Sequence, residues 1–397
     1  MNLDKPQAAR RHARVGAIAL ALALACAGGA ARADVQPYTA TAAPDWTAMF
    51  TRQTGWTGAD GVFSFPRSGD DRVGSGANGQ TFFIFSDTFV GNVNADGSRA
   101  GGTVMVNNTS ALLDGNVADA SRLQFNVRTS ATGVAKSMVL PTQPDTWFWP
   151  GDGVVQNGTV FMSALRMKTG TGGAFNFAVD GTAWLTASAA DPVPFLGKYR
   201  ITEAPALYAP PLGKKGETTF GSAVMALTAT AGAPQPDGYV YVYGVRNDSV
   251  NKKLMVARVK AGALTNSAAY RYWDGTHWQS QINKAAVLTD RMASEFSVTP
   301  LADGRFLLVF QLDALGRTIA VRYGASPVGP WSAPIAIWDC PEVALTPNIV
   351  VYGAKAHPHL SNPGELLISY HVNSLSFVEN LQDADIYHPR FIRLPLN

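Results

Sequence analysis

Trp56-Thr57-Gly58-Ala59-Asp60-Gly61-Val62-Phe63-Ser64-Phe65 is followed, after a loop, by Thr81-Phe82-Phe83-Ile84-Phe85. A short strand, a turn carrying glycine and a strongly apolar strand are written there, and the design recurs. Trp149-Pro150-Gly151-Asp152-Gly153-Val154-Val155 precedes Thr159-Val160-Phe161-Met162-Ser163. Phe220-Gly221-Ser222-Ala223-Val224-Met225-Ala226-Leu227 precedes Tyr239-Val240-Tyr241-Val242-Tyr243. Ser294-Glu295-Phe296-Ser297-Val298-Thr299-Pro300-Leu301 precedes Arg305-Phe306-Leu307-Leu308-Val309-Phe310. Ala356-His357-Pro358-His359-Leu360 precedes Glu365-Leu366-Leu367-Ile368-Ser369-Tyr370. Repetition of such units predicts a β-propeller. In that fold the starts of the innermost strands meet at the axis. Asp60, Asp152, Glu295 and His357 are therefore expected to converge on one pocket, while the third copy brings no charge.

The rest of the chain agrees with an all-β fold. Apolar runs are short and rich in Val, Phe and Tyr, and few segments sustain a helical period. Asp237-Gly238, Asp274-Gly275 and Asp303-Gly304 sit between strand-like runs, as hairpin turns do. No linker or low-complexity block follows Asp34. The expected organisation is a single five-bladed β-propeller over residues 34–397, with two separate β-domains as the alternative. The copies lie far apart for four-stranded blades, so loops at residues 69–79, 91–102 and 168–173 are expected to be long. Long loops on a rigid scaffold commonly carry binding residues.

The first 33 residues read as an export signal. Arg10, Arg11 and Arg14 precede an apolar run from Val15 to Ala27, and Ala31-Arg32-Ala33 offers a cleavage site before Asp34. The run is short for a membrane span. Arg10-Arg11 leaves a twin-arginine route open, and Cys26 a lipoprotein anchor. The expected location is periplasmic or secreted. Without the segment, 27 Lys and Arg face 28 Asp and Glu, because Lys5, Arg10, Arg11, Arg14, Arg32 and Asp4 leave with it. No basic stripe remains to bind nucleic acid. Cys340 is the only other cysteine, so no internal disulfide is expected.

Asp60-Gly61 and Asp152-Gly153 each have a plain reading as turns. Glu295 has none, because a Glu directly before a strand forms no turn. Asp87 is flanked by aromatics in Phe85-Ser86-Asp87-Thr88-Phe89, where burial without a partner would cost several kcal/mol. Clustered carboxylates with separated pKa values suit acid and base work. Trp56 and Trp149 lie beside the first two carboxylates and offer flat faces for a sugar ring, with Phe148 read as core. Arg246 and Asn247 end a strand and can reach the same rim. His357 and His359 alternate about Pro358 and are expected to face one side of a strand. Two histidines alone are a weak metal signal, so no metal site is assigned. Neither a Gly-x-Ser-x-Gly elbow nor a phosphate loop is present.

Gly58-Ala59-Asp60-Gly61 and Phe85-Ser86-Asp87-Thr88-Phe89 resemble the bacterial proteins labelled domain of unknown function 4185 and the related label 5005. Ser86 stands where that group's motif has Gly. Trp149-Pro150-Gly151-Asp152-Gly153, Tyr243-Gly244-Val245-Arg246-Asn247, Glu295-Phe296-Ser297 and His357-Pro358-His359-Leu360 are similar to later blocks. Some members of that group are endo-D-arabinanases. The resemblance implies a five-bladed propeller with Asp60 and Asp87 as the essential pair. Other five-bladed glycosidases place three carboxylates at blade starts, which Asp60, Asp152 and Glu295 match.

The expected function is an exported glycoside hydrolase cleaving furanosidic linkages, in an arabinan and by preference D-arabinan. Asp60, Asp87 and Glu295 are the expected catalytic residues. Asp152, Trp56, Trp149, Arg246, Asn247, His357 and His359 are expected to bind substrate. No cofactor is expected, with a structural cation on the axis left open. The partner is a polysaccharide or oligosaccharide, with no nucleic acid and no membrane span in the mature chain, and the protein is expected as a monomer. The alternatives are a non-catalytic carbohydrate-binding propeller and a metal-dependent lyase using His357 and His359.

Overall fold

Consecutive side chains of a strand point to opposite faces, so an unbroken apolar run needs cover on both sides. Phe82 and Ile84 of the strand Gln80–Phe85 enter one core with Met162 and Leu185, whereas Phe83 and Phe85 enter another with Leu367 and Phe391. Leu307 and Val309 pack with Ile368, while Leu308 and Phe310 pack with Tyr243. Val240 and Val242 complete the pattern against Trp184. Each apolar sheet is thus held between its two neighbours in a propeller-like ring. Burying one such side chain is worth about 1.5–3 kcal/mol.

A computed structural model describes residues 40–170, 176–248 and 251–396. The export segment, with Arg10, Arg11 and Cys26, lies outside the described residues, as does the tip of the loop at 168–173. The described chain is all-β apart from short helices such as Pro44–Met49 and Phe377–Gln382. Five antiparallel sheets have four or more strands, and they begin with Phe63–Pro66, Thr146–Gln156, Tyr208–Ala209, Phe296–Pro300 and, in the last sheet's hairpin order, Ile349–Ala356. In the third sheet the strand lining the axis is Thr218–Leu227, and the sheet extends to seven strands. Thr41–Ala42 pairs with Pro389–Pro395 and completes the fifth sheet from the other end of the chain.

The axial strands touch in chain order. Ser64 closes the ring through a 2.6 Å hydrogen bond with His357 Nδ1. Asp237-Gly238, Asp274-Gly275 and Asp303-Gly304 all join paired strands, as expected. The fifth copy of the repeat lies earlier in the chain than the sequence pattern suggests. Its axial strand is Ile349–Ala356, and Ala356-His357-Pro358-His359-Leu360 marks that strand's end and a following 3-10 turn, Pro358–Leu360. The equivalent of Pro150-Gly151-Asp152-Gly153 and Phe220-Gly221-Ser222-Ala223 is Tyr352-Gly353-Ala354-Lys355. All three segments are bulges, at which the ladder shifts register.

Candidate active site

Asp60 and Asp87 face each other across a broken hairpin. Phe63–Pro66 pairs with Gln80–Phe85 inside the ring, and Thr54–Ala59 pairs with Thr88–Asn92 beyond it. Between the paired parts, Asp60 N–H donates to the Asp87 carbonyl at 3.2 Å and Ser86 N–H donates to the Asp60 carbonyl at 2.9 Å. The crossing is tight. Gly61 has φ +60°, and a Cβ there would lie 2.7 Å from Ser86 Cβ. A glycine at 61 and a small residue at 86 are therefore geometric needs of the site.

The Tyr352 hydroxyl donates to Asp60 Oδ2 at 2.7 Å. Tyr387 approaches the same carboxyl without a well-formed bond to Oδ1. Burial, then the negative charges of Asp87 and Glu295, push the Asp60 carboxyl up to about 8. Trp149 Nε1 and Asn107 Nδ2 donate to Asp87 Oδ1 at 3.0 and 3.1 Å. Burial raises the Asp87 carboxyl, and those two donors oppose the rise. Among the described residues no hydrogen-bond donor reaches Asp87 Oδ2, and neither aspartate forms a salt bridge with Arg or Lys.

Glu295, at the start of the fourth sheet, is different. Lys355 Nζ lies 2.8 Å from Oε2, and His371 Nε2 lies 3.8 Å from it. Burial pushes the Glu295 carboxyl up, but the Lys355 cation outweighs it and holds the group below its usual range. Desolvation takes His371 down to about 3, so the ring is neutral. Its Nε2 accepts from Val62 N–H at 3.3 Å.

Asp152 sits in the bulge of the second sheet. Its carboxylate accepts from Gly153 N–H at 2.8 Å and from Val224 N–H at 2.7 Å, stitching that bulge to the one in the third sheet. Burial still pushes it up to about 7 against those donors. A cavity of about 50 Å³ is lined by all five axial strands, through Ser64, Asp152, Val224, Ser297 and Ala356.

The other sequence-derived candidates divide. Trp149 belongs to the site, with Phe177 edge-on at 4.6 Å as an exposed flank. Trp56 does not present a face for a sugar. Its ring stacks on Phe125 at 4.4 Å within the core, because the strand turns it inward beside Phe85. Phe148 is core, as expected. His357 and His359 do not share a strand face, because the strand ends at Ala356. His357 is buried between Ser64 and Ser369, and His359 bonds Asp71 beyond the strand end. Burial drives the His357 imidazole well below its usual value. Arg246 is chelated by Asp248, and Asn247 accepts from Lys252 at 2.7 Å.

Lys355, Tyr352, Tyr387, His371 and Asn107 were not found from sequence. Lys355 did leave a signal, as a charge inside the apolar run Ile349–Ala356. The others are ordinary residues until the fold brings them to a carboxylate. Among the described residues no group of three His, Cys, Asp or Glu side chains is arranged to hold a metal, and no helix is long and apolar enough to cross a membrane.

The family described as domain of unknown function (DUF5005) matches residues 44–395. No curated protein sequence matches the chain. A solved protein from Bacteroides ovatus ATCC 8483, provisionally described as a hydrolase, superposes with a TM-score of 0.68 at 20% identity, over 89% of each chain. A GH43_1 enzyme from Xanthomonas citri, solved with xylose, gives 0.45 at 13% identity, over 89% of this chain and 94% of that one. A family 117 glycoside hydrolase from Zobellia galactanivorans gives 0.44 at 9% identity, over 90% and 89%.

Proposed function

We propose that this chain, which belongs to the family described as domain of unknown function 5005, is an exported glycoside hydrolase that cleaves furanosidic linkages of an arabinan, D-arabinan by preference, without a cofactor. The scaffold we propose is a single five-bladed propeller. Five apolar cores that alternate with five large sheets support that count. The observation that carries the reaction is the Asp60–Asp87 pair: two carboxyl groups set against each other, free of salt bridges, with one hydroxyl donor on Asp60 and two N–H donors on Asp87.

Two carboxylates flanking a glycosidic bond are the recurring apparatus for its hydrolysis. Asp60, raised to about 8, is protonated at neutral pH and serves as the acid. Its proton passes to the leaving oxygen as the bond from the anomeric carbon to that oxygen breaks. Asp87, with two donors on Oδ1, is the better stabilised anion of the pair. It either takes a proton from the attacking water or attacks the anomeric carbon itself. A carboxyl separation near 5 Å goes with retention, and about 6.5–9.5 Å with inversion. Glu295 supplies a fixed negative charge beside the developing oxocarbenium ion. Trp149 and Phe177 offer the apolar faces on which a sugar ring stacks.

The test is product release from D-arabinan, plant L-arabinan and a fructan by the mature protein, beside Asp60→Asn and Asp87→Asn. Oligosaccharides from one polymer, lowered by about 10²–10⁴-fold or more in each variant, support the reading. Binding without release from all three polymers would move the chain to the carbohydrate-binding modules.

A further inference from the structure

We infer that Lys355 is a positioning residue: its ammonium, held between the Glu295 carboxylate and the Phe63 ring, fixes a negative charge at Glu295 and so assigns the proton of the site to Asp60. The catalytic meaning of this inference rests on the hydrolase reading above; the electrostatic arrangement does not.

The residue is built in. Lys355 is 3% exposed, on a strand whose neighbours Ala354 and Ala356 are apolar. A lysine so placed cannot extend its head to water and must find partners inside. It has two. Nζ lies 2.8 Å from Glu295 Oε2 and 3.2 Å from the centroid of the Phe63 ring. The bulge between Tyr352 and Lys355 aims the chain there. Gly353 makes the approach possible, with φ +71° and a position where a Cβ would sit 3.0 Å from Glu295 Oε2 and against the His371 ring.

The ion pair is also wired to the pair of aspartates. His371 stands next to Glu295 and accepts the Val62 N–H, two residues from Asp60. Tyr352, three residues before Lys355, donates to Asp60. The ionisable groups around the ammonium are Glu295, Asp152 and Asp60, with His357 and His371 neutral beside it. Asp87, Tyr352 and Tyr387 surround Asp60 on the far side. Without the cation, Glu295 would compete with Asp60 for the proton. With it, Glu295 stays an anion, and its charge joins that of Asp87 in keeping Asp60 protonated.

A carboxyl-detected NMR titration tests this without needing turnover, with Glu295 and Asp60 assigned from Glu295→Gln and Asp60→Asn. In Lys355→Met the Glu295 midpoint should move up and the Asp60 midpoint should move down, while Lys355→Arg should restore both. Unmoved midpoints in Lys355→Met would overturn the inference. If that variant does not fold, the native lysine ammonium resonance decides. It should shift at the Glu295 midpoint, and no shift there would overturn the inference equally. On a polymer that the protein cleaves, Lys355→Met should move the acidic limb of kcat/KM to higher pH, with Lys355→Arg close to native. Coupled titration in a protein that releases no sugar would defeat the hydrolase reading alone.

Discussion

Asp60 and Glu295 each receive one short hydrogen bond, 2.7 Å from the Tyr352 hydroxyl at Asp60 and 2.8 Å from the Lys355 ammonium at Glu295. The distances are alike and the outcomes are opposite. Asp60 rises to about 8 and Glu295 falls below its usual range. A hydroxyl stabilises an anion modestly, whereas an opposite full charge in a desolvated site offsets the penalty of burial. Two carboxyl groups of one pocket thus hold different protonation states because one has a countercharge and the other has two negative neighbours. Asp152 lies between them in kind. Two backbone N–H groups hold it, and it rises only to about 7.

The largest expected effect breaks this contrast at the ion pair. Glu295→Gln leaves Lys355 buried without its anion, and such a loss costs about 3–5 kcal/mol. A depressed carboxyl contributes stability above its unfolded value and loses it as pH falls through the folded one, so the cost should shrink in acid. Asp60→Asn should behave oppositely. A raised carboxyl contributes stability that is present below about 4 and is lost as pH rises toward about 8. The variant should therefore gain in Tm by roughly 2–4 °C at pH 8 and gain nothing at pH 4. Urea and thermal unfolding of both variants across that range check the pair. Parallel slopes would show that the two carboxyls do not differ as described.

A smaller effect comes from the backbone that permits the ion pair. Gly353→Ala forces a left-handed alanine against His371 and Glu295, at a cost of about 1–3 kcal/mol. Denaturant midpoints should fall, with the Lys355 ammonium resonance displaced. The smallest effect sharpens the other side. Trp149→Phe removes one neutral donor from Asp87 Oδ1, worth about 1 kcal/mol. The Asp87 carboxyl should rise further, and activity should fall up to ~10-fold with its optimum at higher pH. A pH–rate profile measures both.

Much of this was legible in the chain. Repeated Gly-bearing turns before doubly buried runs such as Phe82-Phe83-Ile84-Phe85 announce sheets packed on both faces. Asp87 could be picked out because its carboxyl interrupts an aromatic run, and Asp60 because it stands at the start of a repeat. The start of the fifth repeat is not legible, because Pro358 and two histidines are more conspicuous than Tyr352-Gly353-Ala354-Lys355, whose bulge is visible only in the pairing of the strands. The inward face of Trp56 is not legible either, because neighbourhood in sequence does not tell which face of a strand a ring takes.

The strand pattern, the turns and the set of available carboxyl groups follow from the order of residues, because alternation and glycine placement are local properties of the backbone. Which carboxyl keeps a proton is set by the folded arrangement. That choice depends on Lys355, Tyr352 and His371, which arrive from the far end of the chain, and on the loss of water around all of them. Charge and desolvation act through space over a few ångströms, and sequence separation carries no measure of that distance.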